Sequence, residues 1–373
     1  MMPTSAFLQS LGITRPTAIL DAVQARQNIR HMAQKAAQAN IRFRPHFKTH
    51  QSAEIGQWFQ TEGVTTITVS SFSMAHYFVE HGWQDITVAF PVNVREMDAI
   101  NRLASQIQLG VLVESLATID ALQRGIQHPV QVWLEIDTGY HRTGLVWDDG
   151  DRILSLVRHL DSVEHLEFTG ILTHTGQTYY ARSRAEIQYL YQETTGRMQS
   201  IQDRLQQAGF SCQISIGDTP SCAVAGSFAG IDEIRPGNFV FYDQMMYQIG
   251  ACRPDQLALA VACPVVGVYP ERGQIVVYGG AVHLSKEALV ETSGRAVFGY
   301  LQEIENGRLG RIAYDAPVIS LSQEHGIIDV PPAMERKVTV GDIVLISPVH
   351  SCLTANLYPF YLTLTGENIS RIR

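Results

Sequence analysis

The residues able to do chemistry lie in short, separated stretches. Lys48 stands in "RPHFKTH" (44–50), directly after the run Ile41 to Phe43. Lysine ordinarily goes to solvent, so an amine set among imidazoles and a phenylalanine needs a reason. A lysine partly removed from water holds its proton less tightly and can attack a carbonyl to form a Schiff base. Pro45, His46 and Phe47 then read as a wall that positions and desolvates the amine. The plain alternative is a lysine that snorkels to a rim or pairs with a carboxylate. In "EIDTGYHRTGL" (135–145), Gly139 and Gly144 flank Arg142. Glycines let backbone approach a ligand, and a guanidinium donates to an anionic or phenolic oxygen; the same letters also fit an ordinary surface loop. His174 closes "GILTH" and precedes a loop with Tyr179 and Tyr180. An imidazole there can stack on an aromatic cofactor or move protons, or simply be a satisfied core histidine.

Two further stretches have the composition of anion sites. "SIGDTPS" (215–221) offers Gly217 and Thr219, and "RPGN" (235–238) offers Gly237 and Asn238. Gly-Asp and Pro-Gly are also common turns. In "SPVHSCLTANLYP" (347–359), His350 and Cys352 are two apart. On an extended segment such residues share a face roughly 7 Å apart, so imidazole and thiolate converge. Nitrogen with soft sulfur suits Zn2+, and two protein ligands leave positions open for water or substrate. A buried cysteine beside an unrelated histidine is the other reading.

The elements that must position these groups alternate. Runs at 41–48, 65–70, 85–90, 108–115, 130–137, 166–174, 212–217 and 231–237 read as strands, with helical patterns between them. Strands separated by helices imply βαβ units and a parallel sheet, and eight of them point to a (β/α)8 barrel of the TIM type. Lys48, Arg142, His174, Asp218, Thr219, Arg235 and Gly237 all fall at or just past strand ends, where barrels place function. After about residue 250 the pattern becomes strands and turns with few helices. The expected organisation is a barrel over 20–250, and a β-rich domain from 1–19 and 251–373 carrying the His350–Cys352 pair.

Bulk properties narrow the function. The chain has 373 residues, 45% hydrophobic and 17% charged, with net charge −8. That describes a well-cored globular protein with no electrostatic footprint for nucleic acid. No window approaches a membrane span, and the start lacks a signal-peptide pattern. Five scattered cysteines argue for a reducing, cytoplasmic setting without a disulfide framework.

Taken in order, "RPHFKTH", "HRTG", "GILTH", "GDTPS", "EIRPGNFVFYD", "SQEHG" and "HSCLTANL" resemble the pyridoxal 5′-phosphate enzymes of the alanine racemase-like fold. The branch is that of D-threonine aldolase and metal-dependent D-serine dehydratase. The resemblance runs from about residue 15 to the end. It implies a (β/α)8 barrel plus a β-domain, a homodimer with sites near the subunit interface, and a small D-amino acid as substrate. It makes Lys48 the cofactor lysine, places Arg142 at the cofactor's phenolic oxygen and His174 beside its ring. Thr219, Gly237 and Asn238 fall in the phosphate loops, and Arg235 or Tyr180 at the ring nitrogen. His350 and Cys352 become the ligands of a divalent metal such as Zn2+. Glu324 and His325 of "SQEHG" could reach the site. Cysteine at 352 favours the dehydratases, which eliminate water from D-3-hydroxy amino acids. The alternatives are retro-aldol cleavage, racemisation and a non-catalytic cofactor-binding protein. Gln177 departs from the dehydratase pattern, which has histidine at that place, and leaves the substrate open.

Overall fold

The computed structural model describes residues 6–335 and 337–372. One compact unit covers Arg30–Gly237, and a second joins the chain up to Ile29 with the chain from Asn238 onward. Residues 20–29 and 238–250, expected with the barrel, therefore lie in the second unit. Hydrogen bonds show what holds them there. Asn28 donates to the carbonyls of Val240 and Gln256, and Met245 N–H donates to the Val349 carbonyl.

The first unit is the expected barrel. Its strands are β1 (Arg42–Phe43), β2 (Ile67–Val69), β3 (Asp85–Pro91), β4 (Gln108–Val113), β5 (Val130–Asp137), β6 (Leu166–Thr173), β7 (Gln213–Ile216) and β8 (Glu233–Ile234). Neighbours from β2 to β8 pair in parallel, and β8 pairs with β1. Closure needs the residues just past β1. Arg42, Arg44 and His46 give their N–H groups to Asp232, Ile234 and Pro236, whereas Phe47 gives its own to Thr68. His46 and Thr68 form the bridge that joins β1 to β2. Alternate N–H groups thus face opposite neighbours, and the donor that Pro45 lacks belongs to the β2 side. Strands such as β5 are buried along almost their whole length, as parallel strands between side-chain layers must be.

Serine or aspartate starts most of the barrel's helices. Ser52, Ser71, Ser115, Asp149, Ser183 and Asp218 each accept a backbone N–H from the first turn of the helix that follows. Such caps satisfy donors that have no partner inside the helix. They also set where each strand stops, so residues just past strand ends gather at one end of the barrel.

The second unit is a largely antiparallel sheet. Leu259–Tyr269 pairs with Thr17–Leu20, Gln274–Tyr278 and Ile343–Pro348. Its core includes Leu8, Ile19, Ala260, Ala262, Ile343, Leu345 and Leu364. The buried Asp21 accepts from the Arg308 guanidinium at 2.7 Å, which ties the N-terminal strand to Arg308–Leu321.

Candidate active site

The chain stops being extended at Phe47, where a turn begins that closes with the Gln51 N–H on the Phe47 carbonyl. Phe47 is fully buried, with its ring 4.9 Å from Phe59, 5.0 Å from Phe78 and 5.1 Å from Trp83. Phe47 therefore belongs to the barrel's outer packing and not to a wall around the amine, and Lys48 is exposed in that turn. From sequence His46 was read only as part of that wall. Its imidazole is pushed well below its ordinary value by burial first, then by the charges of Lys48 and Arg235 and by His174. Its Nδ1 accepts the Lys48 N–H at 3.3 Å, which orders the turn carrying the amine.

His174 lies just past the end of β6. Its Nδ1 meets the Gly217 carbonyl oxygen, which can only accept, so Nδ1 carries the proton and Nε2 keeps its lone pair. Burial first, then the positive charges of Lys48 and Arg142, bring its pKa down to about 3. The Gly217 carbonyl opposes that shift, and Arg235 adds to it. At neutral pH the ring is uncharged. Four residues from four strand ends, Lys48, Arg142, His174 and Arg235, thus share one electrostatic neighbourhood. Tyr140 and Tyr179 flank the His174 ring, each 5.9 Å between centroids. Tyr180, a sequence candidate for the ring nitrogen, is 75% exposed and lies outside this group. Neighbouring residues in the turn Gly176–Tyr180 point different ways, and Tyr179 is the inward one. Gln177 donates to the Thr138 carbonyl at 3.5 Å, while its buried Oε1 has no partner among the described residues.

The loop after β5 is built on Asp137. One carboxylate oxygen accepts the N–H groups of Gly139 and His141, and the other meets His141 Nδ1 at 2.9 Å. Gly144 has φ +103°, and a Cβ there would lie 2.8 Å from the Asp137 nitrogen, so only glycine fits the return of this loop. Arg142 projects from it, exposed, with its guanidinium 5.3 Å from the Tyr140 ring centroid.

Past β7, Asp218 caps the short helix Thr219–Val224 by accepting Ser221 N–H at 2.7 Å and Thr178 Oγ1 at 3.0 Å. The buried hydroxyl of Thr219 has no partner among the described residues, whereas that of Ser221 bonds the Asp218 carboxylate. Buried polar atoms are rarely left unpaired, and the Thr219 hydroxyl fits a bound anion such as the phosphate of pyridoxal phosphate. Past β8, a Cβ on Gly237 would sit 2.8 Å from the His46 carbonyl oxygen, so glycine is required where the two loops meet. Asn238, expected with the phosphate loops, turns its side chain elsewhere. Its Nδ2 lies 2.6 Å from Asp243 Oδ2, 3.2 Å from Ser351 Oγ and 3.6 Å from Cys352 Sγ.

Those contacts belong to the second unit. His350 is extended at φ −131°, ψ 105°, and caps the helix Ser351–Ala355, so Cys352 stands in a helical first turn and not on a strand. The two side chains still converge. Burial opposes charge on His350, but its hydrogen bond to Cys352 and the charges of Cys352, Asp243 and Glu287 push its pKa up to about 9. Asp243 holds the turn by accepting the Ser351 N–H and hydroxyl at 2.9 and 3.1 Å. Among the described residues, no group of three or more His, Cys, Asp or Glu side chains could hold a metal. The pair fits a site with two protein ligands and open positions, and His350 Nδ1 is buried without a partner among the described residues. Glu324 instead faces His283 at 3.8 Å.

Residues 20–244 match the family of the alanine racemase N-terminal domain, and this chain belongs to it. Residues 258–364 match the putative serine dehydratase domain. The fold is alanine racemase-like, and the family is one of pyridoxal phosphate-dependent enzymes. The chain is 29% identical over 367 residues to the D-threo-3-hydroxyaspartate dehydratase of a Delftia species, covering 96% of each. The solved structure of that enzyme overlays with a TM-score of 0.90 at 27% identity, over 97% of this chain and 98% of that one. The D-serine dehydratase of Dictyostelium discoideum is 29% identical, covering 94% of this chain and 93% of its own. The D-threonine aldolase of an Arthrobacter species is 24% identical, over 93% and 88%. A D-threo-3-hydroxyaspartate dehydratase variant with cysteine changed to alanine has been solved in a metal-free form, at 25% identity and a TM-score of 0.89 over 97% of this chain and 98% of that one.

Proposed function

We propose that this chain is a lyase dependent on pyridoxal 5′-phosphate and a divalent metal, and that it removes water from a D-3-hydroxy amino acid. The enamine left behind tautomerises to an imine and hydrolyses to a 2-oxo acid and ammonia. The observation that carries this reading is the hydrogen-bonded His350–Cys352 pair. Hydroxide is a poor leaving group at neutral pH, and an imidazole with a thiolate is a donor set for Zn2+ with open positions. Bound pyridoxal phosphate would draw off the electron pair left at Cα, and a bound divalent metal would act as a Lewis acid toward the departing hydroxyl.

This chain's residues supply the rest. Lys48 would hold the cofactor through Nζ and would take the Cα proton. Arg142 would donate to its phenolic oxygen. His174 is held by Gly217 and presents a neutral ring, adding no positive charge beside three cations. Thr219 and the Gly237 backbone would hold the phosphate. Arg235 would serve the ring nitrogen. His350 and Cys352 hold the metal, with Asn238 Nδ2 directed at the sulfur. No helix among the described residues is long and apolar enough to cross a membrane. We place the enzyme in the cytoplasm, as a homodimer.

The test is product identification with D-serine, D-threo-3-hydroxyaspartate and D-threonine, before and after dialysis against a chelator. Ammonia and a 2-oxo acid, lost on chelation and on Cys352→Ala and regained with Zn2+ only in the unaltered protein, are expected. Undiminished turnover in metal-free protein would sink the metal's role. The likeness to a D-threonine aldolase favours a second reading, retro-aldol cleavage, which would appear as glycine and an aldehyde.

A further inference from the structure

Beneath the mouth of the barrel lies a chain of buried polar groups that the proposed chemistry does not use. Asp85, at the start of β3, clamps Arg44 with two oxygens at 2.5 and 3.2 Å. Arg44 Nε donates to Glu233 Oε2 at 2.7 Å. Ser215 Oγ donates to Glu233 Oε1 at 2.7 Å, and Arg235 Nε donates to that same serine oxygen at 2.7 Å. Arg235 Nη2 donates to the Thr173 carbonyl, also at 2.7 Å. Arg44, Ser215, Glu233 and Arg235 are all at most 3% exposed. β7 and β8 bring Ser215 and Glu233 directly abreast in the parallel register.

Each link has one possible direction. A carboxylate only accepts and a guanidinium only donates. The single serine proton goes to Glu233, so its lone pair takes Arg235 Nε. Two of the three nitrogens of the Arg235 guanidinium are therefore pinned. The third, Nη1, lies 2.6 Å from where a Cβ on Gly217 would stand, beside the carbonyl that holds His174. Without the hydroxyl between them, Arg235 and Glu233 would be free to pair directly, which would draw the guanidinium down and away from the mouth. Arg44 at 2.7 Å and, more weakly, the half-exposed Arg42 at 3.5 Å pair with Glu233, because an unpaired carboxylate this deep is strongly disfavoured. Asp85, Arg44, Glu233 and Arg235 together carry two formal charges of each sign. Burial alone would neutralise Glu233, but Arg44 and the Ser215 hydroxyl hold it below the ordinary carboxylate range.

We propose that Ser215, Glu233 and Arg44 form a positioning relay that holds Arg235 extended toward the cofactor, with Ser215 as the spacer that keeps arginine and carboxylate apart. The relay rests on the reading of Arg235 as a cofactor-facing residue. None of the three is a catalytic residue; each acts through Arg235.

The test is a double-mutant cycle read by binding and spectrum. The dissociation constant of pyridoxal 5′-phosphate and the absorption maximum of the bound cofactor are measured for the unaltered protein, Ser215→Ala, Arg235→Met and the double variant. One lost hydrogen bond to a charged group corresponds to a loss of about ten- to a hundredfold in affinity. Ser215→Ala is expected to show that loss and to move the spectrum in the same direction as Arg235→Met. In the Arg235→Met background, Ser215→Ala should add less than about twofold, because coupled residues are not additive. Arg235→Lys takes the place of Arg235→Met if the latter does not fold. Equal losses in both backgrounds, or a Ser215→Ala spectrum identical to that of the unaltered protein, overturn the relay alone. Failure of the unaltered protein to bind the cofactor overturns the proposed function, and the relay with it.

Discussion

The burial of His174, with three cations beside it, makes a quantitative prediction about acid stability. The imidazole pKa falls from 6.5 to about 3 in the folded chain. Above pH 6.5 the ring is neutral in both folded and unfolded chains, and it contributes no pH dependence. Between 6.5 and about 3 the unfolded chain takes a proton that the folded chain refuses, so stability falls as pH falls. The limiting slope is about 1.4 kcal/mol per pH unit, and since the unfolded imidazole is half-protonated at its midpoint, this one group costs about 2.3 kcal/mol from about pH 6.5 to about pH 4.5. Residual solvent contact screens part of this, leaving at least about 1 kcal/mol. His46, depressed in the same sense, and the carboxylates Asp137 and Glu233, whose folded pKa values are also lowered, add their own losses as pH falls. The comparison must therefore be between the unaltered protein and His174→Gln, which cannot titrate. Urea unfolding of both cofactor-free proteins at the two pH values is the assay. His174→Gln should lose at least about 1 kcal/mol less on acidification. The imidazole signals of His174 should show no titration midpoint near neutrality by NMR. A midpoint between 6 and 7, or equal acid losses in the two proteins, would refute the claim that Lys48, Arg142 and Arg235 share its surroundings.

Two further outcomes follow from the same geometry. Lys48→Ala should abolish the visible absorption of the bound cofactor yet change unfolding free energy by no more than about 0.5 kcal/mol, since its side chain is exposed; absorbance and urea unfolding check both. Gly217→Ala puts a methyl 2.6 Å from a guanidinium whose other nitrogens are pinned, so it should weaken cofactor binding by at least about tenfold, read by fluorescence titration.

Much of the fold was legible before any coordinates. Strand runs alternating with helical patterns read as eight strands, and all eight are present and parallel. Strand alternation in "RPHFKTH" could not place Lys48, because the chain leaves the extended form at Phe47. What misled was the bulk of Phe47, which looked like shielding for the amine but fills the barrel's outer packing. The contrast between Tyr179 and Tyr180 had no such signal. Both are tyrosines in one short turn, and only the turn's geometry makes one face His174 and leaves the other in solvent. Asn238 stands next to Gly237 in sequence, which suggested a shared role. Its carboxamide instead joins Asp243 and Ser351, residues brought beside it by the folding of a different unit.

The sequence alone determined element types, strand order along the chain and which residues lie at strand ends. Those properties follow from periodicity, caps and breakers acting over a few residues. Tertiary structure decided which interior faces meet. Arg44, Glu233 and Ser215 are far apart in the chain, and nothing local tells a serine on β7 that it will stand between an arginine and a glutamate from β8. Barrel closure does so. The register that sets Glu233 abreast of both Arg42 and Ser215 is fixed by parallel pairing on its two sides. The same holds for His350 and Cys352. Their spacing announced a donor pair, but a cap and a helical turn, held by the buried carboxylate of Asp243, bring imidazole and thiol together.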